Sequence, residues 1–211
     1  MMENLLEVKL YFAYTSPYTY LAMAPAYALE QSHRVRLRCI PFAVKIRRVY
    51  GDLAERSERD WRKLRYLYRD VRRFANERGL IIRAPRKIYN ARLAAIAGLY
   101  AGRCGKFRAY SDRVFERFFK RELDVEDSAA LEAIIEEVGL DAADFKRYAA
   151  DQGPAELAEA FAEGDRDHIF GVPTFVLEGE PFWGNDRIAW VIKKLDKMGL
   201  RRWPVAPEAK P

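Results

Sequence analysis

The opening of the chain limits the possible folds more than any other feature. Val8 to Ala13 is an apolar run that reads as a buried strand, and Thr15-Ser16-Pro17 stops it. Tyr18 to Gln31 follows, rich in Ala, Leu and Tyr. Ser16 stands where a helix N-cap belongs, and Pro17 stands at the first helical position, where a missing N–H costs nothing. Val35 to Phe42 reads as a second strand. Strand, helix and strand in this order demand a right-handed crossover and favour a parallel pair.

The middle of the chain reads as helix throughout. Arg59 to Arg78 ends at Gly79, Asn90 to Ala101 ends at Gly102, and Ala109 to Arg121 carries Val114, Phe115, Phe118 and Phe119 at helical spacing. Ala129 to Val138 comes next, then Ala142 to Ala150 started by Asp141, then a helix opened by Pro154 and running to Asp167. Strand signals return at Thr174 to Leu177, with a Glu178-Gly179-Glu180 turn and a continuation through Phe182 and Trp183. Asn185 and Asp186 are placed to cap a last helix, Arg187 to Lys197, which Gly199 closes. βαβ, helices, then ββα is a thioredoxin-like order: an α/β fold with an all-helical insertion between its two halves. Residues 1–52 and 168–200 are expected to form the thioredoxin-like domain, 53–167 the insertion, and 201–211, with Pro204, Pro207 and Pro211, a flexible tail.

Composition removes several function classes. The 211 residues are 50% hydrophobic and 32% charged, which suits a compact globular chain, and no apolar run approaches the roughly 20 residues that span a bilayer. Glu3 and Glu7 stand where a secretory signal would be basic and then apolar, so a cytoplasmic protein without a membrane partner is expected. Cys39 and Cys104 lie far apart with no ligand-spaced neighbour. They read as structural thiols, with neither a disulfide nor a metal site. The net charge of +6 suits anionic partners. The cations are dispersed, however: Arg36 and Arg38 alternate with Val35, Leu37 and Cys39, and the arginines of the Glu55 to Arg78 segment mix with five acidic residues. A small-molecule substrate is therefore expected rather than nucleic acid.

Three short stretches carry candidate chemistry. At Thr15-Ser16-Pro17-Tyr18 a strand delivers the chain into a helix, where unpaired N–H groups and the positive dipole end favour an anion. A disulfide oxidoreductase would place Cys-x-x-Cys at this turn, and here those positions hold Ser16 and Thr19. Thiol–disulfide exchange needs a thiolate, so dithiol redox chemistry is excluded. Ser16 is then either a plain helix cap or a hydroxyl that donates to the thiolate of an incoming thiol, lowering its pKa.

The second stretch is Gly171-Val172-Pro173-Thr174, directly before a strand. Pro173 is either a strand-opening proline or the second residue of a cis peptide. In the cis case the Val172 N–H and C=O are exposed to an extended, peptide-like ligand. The third is Asn185-Asp186: either a helix cap, or a carboxylate that holds an ammonium while the helix amides hold a carboxylate, a combination suited to a γ-glutamyl group.

Taken together, Ser16-Pro17-Tyr18-Thr19-Tyr20-Leu21-Ala22, Lys63 with Arg65-Tyr66 and Arg69-Asp70, Gly171-Val172-Pro173-Thr174-Phe175, and Trp183-Gly184-Asn185-Asp186-Arg187 give the chain a family likeness. It resembles the 2-hydroxychromene-2-carboxylate isomerases and the related kappa-class glutathione transferases, a branch of the DsbA-like thioredoxin superfamily. The resemblance implies glutathione as cofactor, with Ser16 hydrogen-bonded to its sulfur as the catalytic residue. It also implies Val172 on the cysteinyl backbone, Asn185 and Asp186 on the γ-glutamyl end, Lys63 at the glycyl end, and assembly as a homodimer. In such isomerases of aromatic-compound catabolism the thiolate adds to the unsaturated chromene, the ring opens, a bond rotates, and elimination gives the trans product. In the transferases the adduct is the product.

The chain departs from that family after the second strand, where Gly51-Asp52 is followed by Leu53-Ala54-Glu55 instead of Gly-Asn and prolines. Asp52 thus falls at a candidate glutathione-binding position, where its carboxylate repels a glycyl carboxylate unless Lys63 or an arginine compensates. Arg47, Arg65 and Arg83 are candidates for holding a substrate carboxylate, with solvated surface as the alternative. Tyr18, Tyr20, Tyr66 and Trp183 are candidates for an aromatic pocket, with core packing as the alternative. Two other function classes stay open: a non-catalytic thioredoxin-like protein that holds a peptide at the Pro173 strand edge, and an anionic-polymer binder.

Overall fold

The computed structural model describes residues 5–42 and 56–203. Strand β1 (Leu6–Phe12), helix α1 (Pro17–Ser32) and strand β2 (Val35–Pro41) form the opening crossover, with β1 and β2 parallel and Leu6 opposite Val35. Among the described residues six helices follow: α2 (Glu58–Glu77), α3 (Arg92–Arg103), α4 (Phe107–Lys120), α5 (Ser128–Glu137), α6 (Ala142–Ala150) and α7 (Gln152–Arg166). The chain returns as β3 (Thr174–Leu177), β4 (Glu180–Trp183), a 3-10 turn (Asn185–Arg187) and α8 (Ile188–Lys197). β3 runs antiparallel to both β1 and β4, so the sheet order is β2-β1-β3-β4. This is the thioredoxin-like architecture expected from the element order.

Local sequence explains most boundaries. Ser16 caps α1 by accepting the Thr19 N–H at 3.2 Å, with Pro17 at the first position, and Asp141 caps α6 through the Ala143 and Asp144 N–H groups. The β3–β4 turn places Glu178 and Gly179 at positive φ, as a two-residue hairpin requires. Several boundaries differ from expectation by one or two residues, and two of them at glycine or proline. α3 runs through Gly102 to Arg103, and the left-handed Gly105 lies just beyond its end; α7 begins at Gln152, ahead of Pro154.

Pro25 lies inside α1, where it cannot donate the N–H that would reach the Leu21 carbonyl. Arg78, at the end of α2, donates its guanidinium to that carbonyl and ties α2 to α1. Helix α1 and the turn before it also pack against α4 through aromatic contacts. Tyr20 stacks on Phe115 and Phe119 with centroids 5.5 and 5.6 Å away, and Tyr14 donates or accepts a buried 2.8 Å hydrogen bond with Ser111. Each aromatic pair is worth roughly 1 kcal/mol beyond its buried area. Tyr20 therefore belongs to the core between the two halves, and burial holds its phenol up at about 12.

The sheet alternates with a period of two. Val8, Leu10, Phe12, Phe175 and Leu177 enter the main core, while Tyr11, Ile40 and Val176 face the other way onto Ala160 and Ile169. Helix α7, expected within the insertion, supplies this second layer, because a sheet buried on both faces needs covering on both. Tyr11 donates to Asp167 at 2.6 Å, Lys9 lies 2.7 Å from Asp167 and 2.9 Å from Glu163, and Arg38 reaches Glu163 at 2.5 Å. Burial opposes ionisation of Glu163 and Asp167, but their cationic and hydrogen-bonding partners hold both carboxyls below the usual range. Arg201 and Arg202, expected in the flexible tail, are held: Arg201 bridges His33 and Arg202 donates to the Ser32 and Glu30 carbonyls, while residues 204–211 lie outside the described residues. Cys39 is largely buried, and burial pushes its thiol up; Cys104, expected to be structural, is exposed at the end of α3.

Candidate active site

A cavity of about 730 Å3 opens between the thioredoxin-like half and the helical insertion. Pockets of this size hold small ligands and cofactors. Ser16, Pro17 and Tyr18 form part of its wall, at the N-terminus of α1. No acidic residue stands in the first turn of α1, so nothing there cancels the positive end of the helix dipole. The Ser16 hydroxyl accepts the Thr19 N–H at 3.2 Å, and its own proton points to the Val172 carbonyl at 3.4 Å. That distance is at the outer edge of hydrogen bonding, so the proton is weakly held. Thr19, the other half of the Cys-x-x-Cys position, is fully buried and its Oγ1 has no hydrogen-bond partner among the described residues.

The Val172–Pro173 peptide is cis. Around it the loop is fixed by local hydrogen bonds: the Thr174 hydroxyl donates to the Gly171 carbonyl at 2.7 Å, and the Gly184 N–H donates to the Pro173 carbonyl at 2.9 Å. The second of these draws the end of β4 to the cavity. Gly171 lies against the Trp183 indole so closely that a Cβ would fall 2.6 Å from Nε1. Trp183 in turn meets Phe170 edge to face at 4.9 Å, and both are exposed at the rim.

Asn185 and Asp186 reach the same cavity by way of this staple. Neither caps a helix, contrary to the sequence reading. The chain takes a 3-10 turn from Asn185 to Arg187, without side-chain capping, before α8 begins. Asp186 is exposed and pairs with Arg187 at 2.7 Å. Asn185 is 5% exposed, and its Nδ2 has no hydrogen-bond partner among the described residues. A buried, unpaired amide donor on a cavity wall is costly unless a ligand atom completes it.

The insertion supplies the opposite wall. Helix α2 turns Trp61, Leu64, Leu67, Tyr68, Asp70 and Phe74 toward the cavity. Asp70 accepts the Tyr18 hydroxyl at 2.8 Å and Arg73 at 3.2 Å. Lys63, expected beside the glycyl end of a ligand, does not line the cavity; it shares the exposed face of α2 with Tyr66, one step around the helix from Leu64 and Leu67. Asp52 and Arg47 lie outside the described residues. Arg65 is exposed on α2, and Arg83 donates to the Lys120 carbonyl; neither borders the cavity. Of the proposed aromatics, Tyr18 and Trp183 line it and Tyr20 and Tyr66 do not. The sequence reading missed Arg56, Arg86 and Lys87, whose only signal was positive charge in segments without helical or strand periodicity.

Among the described residues no helix is long and apolar enough to cross a membrane. Residues 7–196 match the family model described as DSBA-like thioredoxin domain. The 2-hydroxychromene-2-carboxylate isomerase of Pseudomonas putida is 30% identical over 187 residues, covering 86% of this chain and 90% of the relative. A solved structure of 2-hydroxychromene-2-carboxylate isomerase superposes with a TM-score of 0.76 at 27% identity, over 92% of this chain and 96% of its own. A probable DsbA oxidoreductase from Streptomyces coelicolor shares the fold at a TM-score of 0.74 and 18% identity, over 98% of this chain and 99% of its own. The protein is therefore a member of the DsbA-like thioredoxin family, in the branch that holds the 2-hydroxychromene-2-carboxylate isomerases.

Proposed function

We propose that the protein is a glutathione-dependent isomerase of a 2-hydroxychromene-2-carboxylate-like aromatic or unsaturated acid, with Ser16 as its catalytic residue. The observation that carries this reading is the Ser16 hydroxyl on the cavity wall. Its lone pair is taken by the Thr19 N–H, and its proton is committed only to a 3.4 Å contact. Such a hydroxyl can turn that proton toward a sulfur anion, and the uncompensated N-terminus of α1 adds to the same stabilisation. The names of the relatives supply the reaction class and substrate type.

When bound, glutathione supplies a thiol whose reversible addition to a conjugated double bond permits rotation about it. The rest of the cavity suits a γ-glutamyl tripeptide. The Val172 backbone stands beside Ser16 for main-chain pairing, and the buried Asn185 amide offers the donor that a carboxylate would complete. The Asp186 carboxylate on the same wall would hold the ammonium.

Calorimetric titration of glutathione into the protein tests the reading, with S-methyl glutathione as the control that lacks a thiol. Binding in the micromolar to low-millimolar range, weakened for the control, is the expected result. No heat at millimolar glutathione overturns the cofactor assignment and favours a thioredoxin-like peptide-binding protein.

A further inference from the structure

The insertion contributes more to the cavity than a hydrophobic wall. The segment between α2 and α3 is irregular, yet it is pinned along its length. The Arg83 N–H donates to the Phe119 carbonyl at 2.9 Å, and Arg121 Nε donates to the Ala84 carbonyl at 2.8 Å. On the other side, Glu126 accepts Lys87 Nζ at 2.5 Å and the Asn90 N–H at 2.6 Å, and Asp124 takes Lys87 at 3.1 Å. These hydrogen bonds hold the Glu126 carboxyl below its usual range. Arg86 sits between the two sets of pins, on the cavity wall.

Most cationic side chains on that wall are already engaged. Arg187 is paired with Asp186, Lys87 with two carboxylates, and Arg56 lies over the Trp61 ring at 5.2 Å. The Asp70 carboxylate on the same wall is occupied by Tyr18 and Arg73. Arg86 has no ion-pair partner among the described residues. Tyr89 and Phe118, which border the same cavity, meet edge to face at 5.1 Å; Lys87 Nζ lies 4.7 Å over the Tyr89 ring, which leaves Phe118 and the remaining Tyr89 surface as the aromatic wall. A planar guanidinium next to an aromatic wall is the arrangement that recognises an aryl acid, with the carboxylate taken bidentately and the ring laid on the apolar surface.

We propose that Arg86, with Tyr89 and Phe118, forms the subsite for the carboxylate-bearing aromatic substrate, and that Arg86 sets the preference for acids over their neutral analogues. The inference deepens the isomerase reading and rests on it for the reaction, while the recognition of an aryl acid can be measured without turnover. The thioredoxin half thus handles the thiol and the insertion handles the acid.

The test compares wild type with Arg86→Gln and Arg86→Lys in three measurements. Titration with cinnamate, which needs no glutathione, should show binding in wild type, a loss of about 10- to 100-fold in Arg86→Gln, and partial recovery in Arg86→Lys. Glutathione affinity should be the same in all three. With 2-hydroxychromene-2-carboxylate the KM should rise in Arg86→Gln by a similar factor with a smaller change in kcat, and the methyl ester should not distinguish the variants. Equal cinnamate affinity in wild type and Arg86→Gln overturns the assignment, as does a parallel loss for acid and ester. Absence of glutathione binding in wild type, with cinnamate binding still dependent on Arg86, overturns the cofactor reading and leaves the subsite standing.

Discussion

The Tyr18 hydroxyl donates a 2.8 Å hydrogen bond to the Asp70 carboxylate, joining the residue two positions after the Ser16 cap to the helix that forms the opposite wall of the cavity. Both residues line the cavity, and the bond ties α1 to α2. Tyr18→Phe should lower stability by about 1 kcal/mol, and it should raise the KM for glutathione or substrate more than it lowers kcat. Urea unfolding and steady-state kinetics check this, and unchanged values for both would remove the bond from any positioning role.

Arg78 completes the carbonyl that Pro25 leaves unpaired in α1. Arg78→Leu keeps much of the aliphatic volume but strands the Leu21 oxygen, at a cost of about 1–3 kcal/mol. A double variant with Pro25→Ala restores the helical N–H and should recover part of the loss. Additive losses in the two-variant cycle, read by urea midpoints, would contradict the pairing.

Ser16→Ala separates capping from chemistry. Loss of the Thr19 N–H acceptor costs about 0.5–2 kcal/mol of stability, while loss of the hydroxyl proton should reduce glutathione-dependent turnover by about 100-fold. The pKa of bound glutathione, followed by thiolate absorbance, should rise. Turnover equal to wild type would take Ser16 out of the mechanism.

Asn185→Ala should act in opposite directions on stability and binding. Its Nδ2 is buried and unpaired, so removal relieves a desolvation cost and should leave the melting temperature unchanged or higher. Glutathione affinity should fall about tenfold, the value of one charge-assisted hydrogen bond. A melting temperature well below wild type, with affinity intact, would show that the amide serves the fold alone.

Asp196 accepts Arg201 through Nε at 2.7 Å and Nη2 at 2.6 Å and lies 3.0 Å from His33 Nε2. The Arg201 hydrogen bonds, then His33, draw its carboxyl down from the ordinary 3.8 to about 2. A pKa lowered by folding contributes stability that is present above the unfolded value and is lost as pH falls through the folded one. Wild type should therefore lose stability between about pH 4 and pH 2 more steeply than Asp196→Asn. Urea midpoints across that range give the comparison, and parallel curves would assign the acid sensitivity to other carboxylates.

The local chemistry of the chain determined the elements and their order. Ser16-Pro17 starts α1 because a hydroxyl and a fixed φ suit that position whatever surrounds them, and the two βα halves follow from apolar runs broken by turn residues. The absence of cysteine at the Ser16 turn, which removes dithiol exchange there, was equally legible. Tertiary structure decided what proximity decides. Helix α7 joined the sheet because Tyr11 and Ile40 on its second face needed covering, and Lys63 fell to solvent because the rotation of α2 is set by Tyr68, Val71 and Ala75 in the core. Asn185 lost its capping role and gained a place on the cavity wall because Gly184 is bound to Pro173, a contact between residues whose pairing no local pattern encodes. Arg86 carried no periodic signal at all; its place on that wall comes from hydrogen bonds made by Arg83, Ala84, Lys87 and Asn90 to residues of α4 and the loop beyond it.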